Sequence, residues 1–416
     1  MPDPTGAAPM SPANRDRIER DLAALIAVPS ITGDEFAVQD MVADLLADIG
    51  LQVERLVVPL GDIESDPGFP GIEVDRTELP IVAGRLVGSR PGPTLILCGH
   101  VDVVPPGDPA TWTTPAFEPE IRDGSMYGRG ACDMKGGLVA AIEAVRLVGG
   151  DDLAGEVILL AVPSEEDGGS GALAAIRAGY TGDACIITEP SNMEMVVAHG
   201  GAITFTLGVP GKAAHASMRR EGVSALDNLA YLVEALRADE EARTAAEPRA
   251  EMQAIGLPYP TIIGQVEGGN WASTVMDHVE AHGRYGVTLD QDCDGAAVEL
   301  REAIAIAAAE HEFLGDNPPS VAVWGGRFDS SAIEADHSLP LSLQAAARAV
   351  GAYVPKPIGA PYGADMRLFI NQGNTPTVMY GPGDVKVAHA ADENVPIAEI
   401  VECAEVLARW IRDRLG

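Results

Sequence analysis

Basic residues are scarce in this 416-residue chain: 28 lysines and arginines stand against 62 aspartates and glutamates, for a formal charge of −34. A phosphate backbone is held by a basic face that releases counterions, so nucleic-acid binding is excluded as a class. Acidity of this degree favours solubility and also suits a protein that holds divalent cations. Cysteine is sparse as well. Cys98, Cys132, Cys185, Cys293 and Cys403 form an odd, scattered set without a CxxC pair, which gives no disulfide framework and points to a reducing compartment. No stretch reaches about 18 uninterrupted apolar residues, and the opening residues lack the apolar run of a signal peptide. The expectation is a cytoplasmic protein with no membrane partner.

What is present describes a folding chain of more than one part. Apolar residues make up 46% of the sequence, as in a globular protein rather than a disordered one. The length exceeds that at which a single core keeps growing, which predicts two domains. Ile18, Leu22, Leu25 and Ile26 recur at helical spacing before Pro29, and Val38, Met41, Val42, Leu45, Leu46 and Ile49 do so before Gly50. Apolar runs at 81–87, 94–98, 156–162 and 184–188, with a helical stretch over 134–148, alternate as in an α/β layer structure with a largely parallel sheet.

From about residue 200 the pattern changes. Strand signals at 202–209, 261–266, 279–287 and 320–324 interleave with helical stretches around Leu226–Leu236 and 295–313, a β-α-β-β-α-β order of ferredoxin-like type. The first pattern then resumes, with a helix near 339–350, a strand at 377–380 and a last helix after Pro396. The expected division is a catalytic domain in two parts, 1–200 and 327–416, split by an inserted domain over 201–326.

Metal-capable residues gather directly after predicted strands, where α/β sheets place functional groups. TLILC runs into His100 and Asp102, EVILLAVPS into Glu165, Glu166 and Asp167, and ACIIT into Glu189. A fourth cluster, GRGACDMKGG at 128–137, opens the next helix. Each alone is a weak signal. Together they would bring several acids to one sheet edge, where their repulsion costs stability unless a cation or a proton offsets it.

The stretches GHVDVVP at 99–105, GRGACDMKGG at 128–137, SEED at 164–167, TEP at 188–190, GKAAHAS at 211–217, GADMR at 363–367 and AHAADE at 388–393 resemble, in the same order, the M20 metallopeptidases. That family includes acetylornithine deacetylase, succinyl-diaminopimelate desuccinylase, aminoacylase and glutamate carboxypeptidases. The resemblance implies a zinc-dependent exopeptidase-like α/β catalytic domain and an inserted α+β domain that serves as lid and dimerisation element. It implies two Zn²⁺ ions, with Co²⁺ or Mn²⁺ as substitutes. His100 and Glu189 would hold one ion, Glu166 and His389 the other, and Asp133 would bridge both. Glu165 would be the general base that takes a proton from the attacking water and passes it to the leaving nitrogen, and Asp102 would hydrogen-bond the His100 imidazole.

The same resemblance implies that His215, in the insert, stabilises the oxyanion in a partner subunit's site, so that a homodimer is required. It also implies that Arg367 holds the substrate carboxylate. Two departures bear on substrate choice. Where many relatives carry Asn-x-Val-Pro, this chain reads Ser273-Thr274-Val275-Met276, and Arg284 lies about two residues before the position of the family's substrate arginine. The expected activity is hydrolysis of the amide of a small N-acyl amino acid. A dipeptidase or carboxypeptidase of the same family is the alternative, and an inactive metal-binding regulatory protein the remote one.

Overall fold

The computed structural model describes residues 12–416. The first 11 residues, part of the segment read for a signal peptide, lie outside the described residues. Among the described residues no helix is long and apolar enough to cross a membrane. The chain divides into two compact units, Met1–Val197 with Ile333–Ile358 and Asp365–Gly416, and Ala198–Ala332 with Gly359–Ala364. The sequence signals gave no sign that Gly359–Ala364 belongs with the second unit. It is held there by the Gly200 N–H donating to the Ala360 carbonyl and by Gly359 lying against Met252.

The first unit is built on a sheet whose strands run in the order Gln52–Pro59, Glu78–Val87, Ala154–Val162, Arg90–His100, Ala184–Ile187, Thr377–Met379 and Met195–His199. The central four, from Ala154–Val162 to Thr377–Met379, are mutually parallel, and antiparallel strands flank them on both sides. The central strands read as continuous apolar runs because both faces are covered. Side chains alternate between those faces. Leu95, Leu97, Val157, Leu159, Ala184 and Ile186 share one core with Ile18 and Leu22 of helix Pro12–Ala27, Leu138 and Ile142 of helix Gly136–Val148, and Leu407 and Trp410 of helix Ile397–Leu415. Each fully buried Leu or Ile contributes roughly 1.5–3 kcal/mol.

Parallel register brings the carboxyl ends of these strands level. His100 pairs with Val162, and Cys98 with Ile187, so the residues that follow each strand emerge on one edge. A glycine allows the helix after the fourth cluster to approach that edge. A Cβ on Gly137 would lie 1.8 Å from the Thr188 carbonyl oxygen, beside Glu189.

The second unit has the β-α-β-β-α-β order read from the sequence. Its antiparallel sheet runs Ile262–Gly268, His278–Val287, Gly201–Pro210 and Ser320–Phe328. Helices Ala225–Ala246 and Cys293–Glu310 cover one face, where Ile203, Phe205, Leu207 and Val209 are buried. Both helices start where a side chain accepts an otherwise unpaired backbone N–H, Ser224 from Asp227 and Asp292 from Gly295.

Candidate active site

All five residues expected to hold metal, and Glu165, lie in the first unit and converge at the carboxyl edge of its parallel strands. His100 ends strand Arg90–His100 and is buried. Its Nδ1 lies 2.8 Å from the backbone carbonyl oxygen of Asp102 and therefore carries the proton, which leaves Nε2 as the lone-pair nitrogen. Nε2 lies 3.0 Å from Asp133 Oδ1 and 3.7 Å from Glu189 Oε1. On the other side, His389 Nε2 lies 3.5 Å from Asp133 Oδ2 and 3.0 Å from Glu166 Oε2. One carboxylate thus offers a separate oxygen to each histidine.

Donor atoms of His100, Asp133 and Glu166 lie within 4.8 Å of one another, as do those of His100, Glu165 and Glu189. Burial first, then neighbouring Glu189 and Asp365, push the Glu165 carboxyl well above its ordinary value. Burial likewise raises Glu189, where the attraction of His100 and the repulsion of Asp133 oppose each other. Glu166 rises through burial and Asp133. Despite burial, the His100 and His389 rings on either side hold Asp133 below the usual carboxylate range. Hydrogen bonds to Asp133 and then Glu166 push His389 up to about 10. So many acids packed together call for positive charge, and two histidines facing separate oxygens of Asp133, with further carboxylates beside each, fit a pair of divalent cations.

The backbone around these groups is unusual. Gly130 has φ 82, Ser164 φ 69 and His389 φ 59, all in the left-handed region, which is costly for residues other than glycine and concentrates at functional sites. The stretch Ala131–Lys135 forms a wide helical turn before helix Gly136–Val148, so that helix starts two residues later than the sequence pattern predicts.

Residues 96–413 match the description Peptidase family M20/M25/M40. The chain belongs to this family. It is 26% identical over 398 residues to the N-formyl-4-amino-5-aminomethyl-2-methylpyrimidine deformylase of Bacillus subtilis (strain 168), covering 90% of this chain and 88% of that one. It is 27% identical over 411 residues to the acetylornithine deacetylase of Proteus mirabilis (strain HI4320), covering 94% of each. Its fold resembles that of the aminopeptidase PepT of Bacillus cereus, with a TM-score of 0.71, 22% identity and coverage of 96% and 98%.

Within this M20/M25/M40 hydrolase fold, the structure redirects one of the sequence assignments. The Asp102 carboxylate does not bond the His100 ring, from which its nearest oxygen is 3.7 Å away. It accepts instead the N–H groups of Glu165 and Glu166, each at 3.2 Å, together with the Thr32 hydroxyl at 3.2 Å. Arg367, expected to hold the substrate carboxylate, has a structural contact as well. Its guanidinium is buried and donates to the carbonyl of Gly168, in the turn that carries Glu165 and Glu166. His215 and Arg284 lie in the second unit. The exposed His215 has Nδ1 accepting from the Ser217 N–H at 3.2 Å, which puts the ring proton on Nε2. Exposed Arg284 lies over the Phe328 ring at 5.5 Å.

Sequence reasoning passed over the groups beneath the ligands. Buried Arg76 lies 3.0 Å from Glu35 and 3.3 Å from Asp167, and Asp167 accepts from Ser164. Buried Glu393 accepts the N–H groups of Cys132 and Asp133 at 2.9 and 3.0 Å and the Arg129 guanidinium at 2.5 Å. Asp167, Ser164, Arg129 and Glu393 had signalled themselves only by membership in matched motifs, and Glu35 and Arg76 not at all.

Proposed function

We propose that this protein is a metal-dependent amidohydrolase that removes the acyl group from a small N-acyl amino acid, with Glu165 as general base. The observation that carries the reading is the Asp133 carboxylate facing His100 with one oxygen and His389 with the other. His100, Asp133 and Glu189 would hold one divalent cation, and Asp133, Glu166 and His389 a second. Zn²⁺ suits this donor set, with Co²⁺ or Mn²⁺ as substitutes. When bound, the cations would polarise the scissile carbonyl and acidify a nearby water.

The chain's own groups do the rest. The Asp102 carboxylate fixes the adjacent amides of Glu165 and Glu166, whose side chains then serve different tasks. Burial beside Glu189 and Asp365 raises the proton affinity of Glu165, so it accepts the water's proton and returns it to the departing nitrogen. His215, with its proton on Nε2, is the proposed donor to the oxyanion, delivered from a partner subunit in a homodimer formed through the inserted domain. Deacylase relatives covering about nine-tenths of the chain favour acyl removal over peptide cleavage. We place the activity in the cytoplasm.

A screen of N-acetyl, N-succinyl and N-formyl amino acids beside dipeptides, with and without chelator, tests the reading. Chelator-sensitive release of an acyl group is the expected result. Preferential dipeptide cleavage would transfer the proposal to the dipeptidase alternative, and turnover untouched by metal removal would end it.

A further inference from the structure

We infer that Glu393, neutralised by Arg129, is a positioning residue that sets Asp133 and His389 at a fixed distance from each other; this rests on the metal-site reading above. Asp133 and His389 lie on different loops, and each must supply an atom to the same cation. Glu393 joins those loops. Its Oε1 accepts from the amides of Cys132 and Asp133, its Oε2 from Arg129, and its backbone carbonyl from the Gly128 N–H at 2.9 Å. It follows His389 by four residues. Directly after it, Asn394 and Val395 pair in antiparallel register with Tyr127 and Met126, at the start of the Asp133 loop. Just before it, Asp392 accepts from the Thr113 N–H and hydroxyl at 2.9 and 2.6 Å.

A buried ion pair is a poor device for stability alone, because losing water's solvation of two charges cancels much of their attraction. What a carboxylate supplies here, and an apolar side chain would not, is an acceptor for two successive amides, one of them that of the ligand residue itself. Burial raises the Glu393 carboxyl, and the Arg129 guanidinium bonded to its Oε2 opposes that rise. The guanidinium is in turn stacked 5.3 Å from the Trp112 ring, and the Arg129 N–H donates to the Ala116 carbonyl at 2.8 Å. The side chain of His389 is 53% exposed and that of His100 1%, so the His389 loop has less packing of its own to hold it. Groups that orient metal ligands from behind are worth about 10- to 100-fold in metal affinity when removed.

The test is a chelator titration of Zn²⁺- and Co²⁺-loaded Glu393→Ala beside the parent, with melting of both metal-free proteins. The expected result is release of one ion at about 10- to 100-fold lower chelator and an altered cobalt absorption spectrum, a loss larger than the drop in metal-free melting that follows from leaving Arg129 without its carboxylate partner. Glu393→Gln, whose side-chain oxygen can still accept from both amides, should restore most of the affinity. Parent-like release by the alanine variant overturns the inference, as does no rescue by glutamine. So does affinity lost only in step with a lower metal-free melting temperature. If the alanine variant does not fold, Glu393→Asp, one methylene short of the amides, takes its place with the same readouts. A parent protein that binds no metal refutes the metal-site reading instead, which keeps the two failures distinct.

Discussion

Buried charge is matched in the second unit and left in surplus at the strand edge of the first. In the second, Arg243 is matched on every side: it bonds Asp239 at 2.8 Å, the Gly286 carbonyl at 2.7 Å and the Thr261 hydroxyl at 2.8 Å, with its guanidinium 4.0 Å from the Tyr285 ring. Buried Glu247 takes the Tyr259 hydroxyl and the Arg249 N–H. In the first unit, Asp133, Glu165, Glu166 and Glu189 crowd around two histidines, and the protein supplies too little positive charge to satisfy them. Matched burial marks architecture, whereas a surplus of one sign marks a place where something else must bind.

The largest expected effect breaks the comparison on the surplus side. Glu165→Ala should lower kcat by about 10²–10⁴-fold while both cations stay bound, read by turnover and metal content together. Next, on the matched side, Phe205→Ala in the second unit's core should cost about 3–5 kcal/mol in denaturant unfolding and leave metal content untouched. Third, chelation should lower thermal stability, by about 2.7 kcal/mol where free metal had stood at 100 times its Kd. Glu165→Ala, by relieving acid crowding, should narrow that gap.

The smallest effect concerns an ordinary ion pair. Hydrogen bonding from Arg177 holds Asp66 at about 2, below its ordinary 3.8. Its stabilisation is therefore complete above about pH 4 and disappears as pH falls through about 2. Asp66→Asn should flatten that acid limb by less than about 1 kcal/mol, as measured by melting between pH 2 and 5.

Much of this was legible before any coordinates. Apolar runs long enough to be buried on both faces announced the central strands, and their following His, Asp and Glu residues announced the cluster. The three-residue strands Glu120–Arg122, Ser125–Tyr127 and Asn394–Pro396 were not legible, because three residues hold no period. Nor was strand Gln52–Pro59, which is largely exposed and shows no buried run. Residue types fixed which side chains could bind metal but not what lies beneath them. Thus the expected bond from Asp102 to the His100 imidazole is made by its main-chain carbonyl and not its carboxylate, the bond from Arg367 to the Gly168 carbonyl was not foreseen, and Glu393 was left without a role. Hydrogen bonds to backbone amides leave no trace in composition or spacing.

The tautomer of His100 depends on a main-chain oxygen, that of Asp102. Side-chain replacement cannot delete a carbonyl. A lesion at position 102 would therefore spare the imidazole's proton placement and fall on the turn bearing Glu165 and Glu166, so damage that looks like a lost metal ligand would in truth be a displaced proton carrier.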